Sequence, residues 1–231
     1  MPIEKQIEAD GFRIRYCEAG AGNAVIMLHD DRGPGWSALH DLLAEHRRVI
    51  APELPGFGSS PADQGPQSVR EVARAVTAFA ASLGLERYSL AATAFSAGIA
   101  LWQAIDAPER IDTLVLISPA AILPDDWKLP ADWPEPMAKL RRLNRDQELE
   151  SHFGAIMIPV LVVFGTRNTL IPPEIGRLYR ERIPNSYYIL MYGAGHAIAD
   201  ERPQALYQLV GDFLERGDAF VVNRTNGLIN P

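Results

Sequence analysis

The sequence predicts an α/β fold on a mostly parallel sheet. Short apolar runs alternate with stretches of helical period along the chain, as in folds where each strand is followed by a covering helix. Several of the runs are continuously apolar, as strands buried on both faces are. The intervening stretches carry helix start and stop residues.

The apolar runs come first. Phe12 to Glu18 alternates with period two, while Ala24 to Leu28 (AVIML) is apolar throughout. Arg47 to Ala51, Tyr88 to Ala92, Thr113 to Ser118, Val160 to Gly165 and Ser186 to Met191 complete the set. The clearest helix begins at Ser68, where Ser68-Val69-Arg70-Glu71 has the form of a capping box, Ser68 accepting from the Glu71 N–H and the Glu71 side chain reaching back. Val69, Val72, Ala73, Val76, Phe79, Ala80 and Leu83 then form one stripe, and Gly84 ends it. A second helix is expected after Ser96 and a third from about residue 201 to 215.

From Ile122 to Met157 the alternation fails. Pro124, Pro130, Pro134 and Pro136, with Trp127 and Trp133 among them, make this segment too long and irregular for a simple connection. It is expected to be a cap (122–157) inserted into a core formed by 1–121 and 158–231, with helical character from about Pro136 to Phe153. Trp127, Trp133 and Phe153 suggest an apolar lining there, or equally the packing of the cap on the sheet.

The bulk properties narrow the function classes. The chain has 231 residues, 47% hydrophobic and 22% charged, an ordinary globular composition. A net charge of −7 argues against nucleic acid or an anionic membrane as partner. The single cysteine, Cys17, excludes an internal disulfide and reads as a buried, inert thiol. Met1-Pro2-Ile3-Glu4-Lys5 lacks the regions of an export signal, and no apolar run reaches membrane-spanning length, so a cytoplasmic location is the default expectation.

Two turns carry the chemistry. Tyr88 to Ala100 reads as strand, sharp turn and helix around Ala94-Phe95-Ser96-Ala97-Gly98, an A-x-S-x-G version of the G-x-S-x-G elbow that exposes a nucleophilic serine at a helix N-terminus. A helix-capping serine is the alternative. Gly193-Ala194-Gly195-His196 offers a base in a glycine-rich turn between a strand and the last helix. His40 and His46 read as surface or satisfied residues, and His152 falls in the cap. His29, in Leu28-His29-Asp30-Asp31-Arg32-Gly33-Pro34-Gly35-Trp36, reads as structural, holding a loop whose Asp31 N–H would be an oxyanion donor beside that of Ala97.

With these segments the chain resembles the α/β-hydrolase superfamily from about residue 11 to 215. HDDRGPGW (29–36), APELPGFGSSP (51–61), ATAFSAGIA (92–100), VLVVFGTRNTLIPPE (160–174) and GAGHAIADERP (193–203) carry the resemblance. PGFGSS and the GPGW loop look closest to esterases and to carbon–carbon bond hydrolases of aromatic-ring degradation. The resemblance implies a sheet of about eight strands, a cap after the sixth and a Ser–acid–His triad in that chain order.

Asn168 stands where the resemblance implies the acid. Its carbonyl can accept the histidine Nδ1–H, but it cannot offset an imidazolium charge; the same change in a serine protease lowers turnover by about 10⁴. Natural divergence, an introduced substitution and a substitute acid are the competing explanations. Asp30 and Asp31 are further departures beside the oxyanion loop, to be neutralised by Arg32, turned outward, or coupled through a shared proton.

These features point to hydrolysis of a small ester or related acyl compound: Ser96 as nucleophile, His196 as base, Asn168 orienting it, and Asp31 and Ala97 holding the oxyanion. His29, Asp30, Trp127 and Trp133 are candidate lining residues. Cleavage of a carbon–carbon bond is the runner-up. A degenerate hydrolase that binds a small molecule without turnover is the rival outside enzymes. No metal or organic cofactor is implied, and the partner is a small-molecule substrate. Oligomeric state is open; the apolar Ala219-Phe220-Val221-Val222 of the tail folds back on its own domain or meets another subunit.

Overall fold

In a computed structural model the described residues are 1–30, 32–55, 57, 68–123 and 146–220. Eight strands form one sheet: β1 (Ile3–Ala9), β2 (Phe12–Ala19), β3 (Ala24–Leu28), β4 (Arg48–Pro52), β5 (Tyr88–Thr93), β6 (Ile111–Ile117), β7 (Val160–Gly165) and β8 (Ser186–Met191). Their spatial order is β1-β2-β4-β3-β5-β6-β7-β8. β1 and β2 run antiparallel to their neighbours, and every pair from β4 to β8 is parallel. Seven α-helices are described: α1 (Ala38–Ala44), α2 (Val69–Ser82), α3 (Ser96–Asp106), α4 (Gln147–Ser151), α5 (Gly176–Arg182), α6 (Ile198–Glu201) and α7 (Pro203–Arg216). None is long and apolar enough to cross a membrane.

The alternation of side chains along each strand divides the core into two layers. Ile26, Leu28, Leu90, Ala92, Leu114 and Leu116 face the layer that includes Val76, Phe79 and Trp102 from α2 and α3. Val25, Met27, Ala91, Val115 and Ile117 face the other, with Leu39 and Leu43 of α1 and Leu206, Val210 and Phe213 of α7. Because β3 and β7 are buried at every position, they need apolar residues on both faces.

One strand is not legible in the sequence pattern. β1 (IEKQIEA) is an edge strand, exposed at its first four residues, so its fold-specifying apolar content is small. Its charged side chains guard a sheet edge that would otherwise offer itself for pairing. The expected helices stand with small boundary shifts. Ser68 Oγ accepts from the Glu71 N–H at 3.2 Å, and Gly84 follows the helix at φ +72°. The last expected helix is α7, whose first turn Pro203 opens, and the short α6 precedes it.

The expected cap falls largely outside the described residues, as do Trp127 and Trp133. Its last part packs on the core. Asp146 caps α4 by accepting from the Leu149 N–H at 3.0 Å and also accepts from Trp102 Nε1–H at 2.9 Å. Phe153 is fully buried against Tyr179. In the tail, Phe220 is buried edge-to-face on Phe213 and Tyr187 of its own domain; Val221 and Val222 lie outside the described residues.

α1 has an unusual cap with a consequence for acid stability. His40 occupies the position where a capping box places Glu or Gln, and its Nδ1 accepts from the Ser37 N–H at 3.1 Å. Burial depresses the His40 pKa to about 4 from the usual 6.5, with Asp41 opposing. The folded state therefore binds this proton less readily than the unfolded chain, so stability is full above pH 6.5 and falls as the pH drops toward 4. The full shift corresponds to about 3 kcal/mol. His40→Gln keeps an acceptor for the cap and removes the titration. Urea unfolding at pH 7 and pH 4.5 should show a smaller acid loss for the variant; equal losses would assign the acid sensitivity to other groups.

Candidate functional site

β5 ends at Thr93 and α3 begins at Ser96, so the elbow consists of two residues, Ala94 and Phe95. Ala94 has φ +53°, the left-handed backbone region that non-glycine residues enter at a cost of about 1–3 kcal/mol. Hydrogen bonds hold it there: its N–H donates to Ile117 O at 3.0 Å, and its carbonyl accepts from Ala120 N–H at 2.9 Å. In a nucleophile elbow this sharp, strained position, between strand end and helix start, presents the reacting side chain. Here it presents a methyl group.

Ser96 lies two residues further on, as the first residue of α3. Its hydroxyl donates to Thr93 O at 2.9 Å or Leu28 O at 3.3 Å, and accepts from the Thr93 N–H at 3.0 Å. Ala94 and Ser96 are both fully buried, so burial does not separate them; backbone conformation and hydrogen bonding do. The expected lifting of the Ser96 hydroxyl above the sheet edge is therefore corrected. The Oγ closes the β5 terminus on the end of β3. Ser96→Ala should lower stability by about 1–3 kcal/mol, because the Thr93 N–H loses its side-chain acceptor in a buried place. An unchanged urea midpoint would deny that structural role.

The N–H groups expected as oxyanion donors are those of Ala97 and Asp31. The Ala97 N–H donates to Ala94 O at 3.3 Å inside the turn. The N–H that follows the apex is that of Phe95, and no described residue accepts from it. Asp31, the other expected donor, lies outside the described residues. A sequence signal for this frame exists: centred on Ala94, the small residues two before and two after are Ala92 and Ser96.

His196 stands in the turn after β8, which several backbone contacts hold. Ser118 Oγ donates to His196 O at 3.0 Å, Gly193 N–H to Thr166 Oγ1 at 2.9 Å, and Gly195 N–H to Glu201 Oε2 at 2.7 Å. Ser118, at φ +45° after β6, is a positioning residue that sequence reasoning did not single out. The turn packs so closely on the end of β7 that a Cβ at Gly165 would collide with the carbonyl oxygens of Ala194 and Gly195.

Asn168 and His196 are brought together, but through other atoms than expected. The Asn168 Nδ2 meets His196 Nδ1 at 3.3 Å. The Asn168 carbonyl, expected to accept from the imidazole, instead accepts from the N–H groups of Leu170 and Ile171, both at 3.1 Å. Asn168 is 5% exposed, so each of these bonds matters in full.

The loop after β3 is held by its own side chains. His29 Nδ1–H donates to Asp30 O at 2.8 Å while its Nε2 accepts from the Leu54 N–H at 3.2 Å. Phe57 packs edge-on against the His29 ring. Arg32 neutralises Asp30: Nε and Nη2 donate to its Oδ2 at 2.9 and 2.6 Å, and the Arg32 N–H donates to Oδ1 at 2.9 Å. Arg32 Nη1 reaches Asp200 Oδ2 at 2.6 Å, tying this loop to α6. The two carboxylates raise the guanidinium pKa above its usual value. A cavity of about 330 Å³ opens between the loop and α6, with His29, Asp30, Arg32, Thr93, His196 and Asp200 in its wall.

Known proteins resemble the chain in sequence and in fold. A 2-hydroxymuconate semialdehyde hydrolase of Pseudomonas sp. (strain CF600) is 28% identical over 96% of this chain and 97% of its own length. A 2-hydroxy-6-oxo-6-phenylhexa-2,4-dienoate hydrolase of Burkholderia cepacia is 36% identical over 48% of this chain and 41% of its own. Among solved structures, the enol-lactonase of Burkholderia xenovorans LB400 has a TM-score of 0.80 at 20% identity, covering 91% of this chain and 100% of that one. A serine-to-alanine mutant of the meta-cleavage product hydrolase of Pseudomonas fluorescens IP01, complexed with acetates, has a TM-score of 0.75 at 21% identity, covering 91% and 97%. The model of the alpha/beta hydrolase fold matches residues 16–153, more than half of the chain. With the eight-stranded, mostly parallel sheet and its flanking helices, that match makes the chain a member of the α/β-hydrolase fold family.

Proposed function

We propose that the chain is a hydrolase-family protein that binds a small carbonyl compound beside His196 and does so without forming an acyl-enzyme. The observation that carries this reading is the left-handed backbone at Ala94, which makes an alanine the apex of the elbow. The hydrogen bonding of the Ser96 hydroxyl to the backbone of Thr93 and Leu28 supports it. So does the Asn168 amide, which offers His196 a donor where a serine-activating histidine needs an acceptor. The expected triad of Ser96, His196 and Asn168 is replaced in this reading by a binding site that keeps the Asn168–His196 pair without a nucleophile.

The relatives guide the ligand class. Those named above as acting on 2-hydroxymuconate semialdehyde and 2-hydroxy-6-oxo-6-phenylhexa-2,4-dienoate handle small oxygen-rich carbonyl compounds, and a ligand of that size suits a cavity of about 330 Å³. Hydrolysis of p-nitrophenyl acetate tests the proposal. The wild-type protein should show no burst of nitrophenol, and Ser96→Ala should have the same slow rate. A stoichiometric burst lost in Ser96→Ala would overturn it.

A further inference from the structure

We propose that Asn168 fixes His196 in the tautomer protonated at Nε2, so that His196 serves as a hydrogen-bond donor and takes a ligand with an acceptor oxygen, a carbonyl or a carboxylate. The proposal rests on the reading above of a site without covalent chemistry, and it deepens that reading by assigning the histidine's role and the ligand's chemistry.

The argument turns on which end of the Asn168 amide faces the ring. A side-chain amide has one acceptor end and one donor end, and the two look alike by shape. Here their surroundings tell them apart. Two backbone N–H groups, of Leu170 and Ile171, converge on one end at 3.1 Å, so that end is the carbonyl oxygen. Reversing the amide would aim its NH₂ at two N–H donors in a place only 5% exposed, leaving buried donors without acceptors. The end facing His196 at 3.3 Å is therefore the NH₂, a donor without a lone pair to offer.

A donor at that place requires the Nδ1 lone pair. A neutral imidazole with a lone pair at Nδ1 carries its proton on Nε2. An aspartate at position 168 would do the reverse: its second oxygen would draw the proton to Nδ1 and leave Nε2 as a base. Replacing one oxygen by NH₂ thus inverts the ring's polarity toward the cavity, from proton acceptor to proton donor.

Arg32 in the cavity wall adds further donors beside the neutral His196. Arg32, which has only donors, stands in the same wall and is held there by Asp30 and Asp200. A carbonyl or carboxylate oxygen beside His196 can accept from such donors, while Asp30 and Asp200 in the same wall balance the charge of Arg32. Arg32 also offsets the charge of Asp30 next to it.

Long-range ¹H–¹⁵N spectra of the ¹⁵N-labelled full chain read the tautomer directly. The wild type should show His196 protonated at Nε2, and Asn168→Asp should move the proton to Nδ1. Sodium acetate is the carboxylate probe, with methyl acetate as the neutral carbonyl and sodium chloride as the ionic control. Acetate and methyl acetate should each shift the His196 resonances, beyond any shift caused by chloride. Binding should weaken at least about tenfold in His196→Ala and be kept within about threefold in His196→Asn, whose side chain still donates. A wild-type proton on Nδ1, an acetate response equal to that of chloride, or acetate binding undisturbed in His196→Ala would each overturn the proposal. A covalent adduct on Ser96 is a separate outcome, which removes the non-covalent reading beneath it whatever the tautomer.

Discussion

Ala94→Ser combined with Asn168→Asp should turn this protein into an esterase. The first change puts a hydroxyl on the strained residue between β5 and α3. The second restores an acceptor for His196 Nδ1–H and frees Nε2 to take the serine's proton. The rate on p-nitrophenyl acetate should rise by about 10³–10⁴ over wild type, since an amide in place of the acid alone costs about 10⁴ in a serine protease. The single variants separate the contributions. Ala94→Ser alone should acquire a nucleophile that is poorly activated, and Asn168→Asp alone should gain nothing, having a base with no hydroxyl to serve. A large gain from Asn168→Asp alone would mean that Ser96 is the nucleophile after all. Because the two residues act as one unit, their effects should be far from additive.

Gly165→Ala should have the largest effect on stability. Gly165 ends β7, and the added methyl would meet the carbonyl oxygens of Ala194 and Gly195 rather than flexible side-chain ends. Relief requires the turn carrying His196 to move off the sheet, against the Arg167 N–H to Ala194 O bond of 2.8 Å and the Ser118 bond to His196 O. Overpacking of this kind costs about 3 kcal/mol or more where backbone cannot yield. Thermal unfolding should show the loss, and the Asn168–His196 contact should be broken in the same variant. A variant as stable as wild type, with its His196 resonances unmoved, would show that the turn is not held by this packing.

Much of the fold was open to reading because the buried strands and the helices α2, α3 and α7 announce themselves locally, whereas α5 was not anticipated. β3 and β7 are apolar at every position, and the Ser68 cap and Gly84 stop bracket α2. β1 was hidden because an exposed edge strand needs few apolar residues to hold it. The site was harder for three physical reasons. A motif centred on a serine favours Ser96, yet the elbow is defined by backbone conformation, and the φ of Ala94 and the hydrogen bonds of Ser96 are not written in the sequence. The letter N at position 168 does not say which end of the amide faces the histidine; the N–H groups of Leu170 and Ile171 decide that. The Arg32–Asp200 bridge joins residues far apart in sequence, so no local pattern contains it, although Arg32 as the neutralising partner of Asp30 could be anticipated from adjacency alone.

The elbow frame can be measured directly by the mass of the intact protein after treatment with a fluorophosphonate, followed by peptide mapping. Wild type should remain unmodified, and the Ala94→Ser, Asn168→Asp protein should gain one adduct, on the residue at position 94. An adduct on Ser96 of the wild-type protein would contradict the assignment of Ala94 to the apex and return Ser96 to the role of nucleophile.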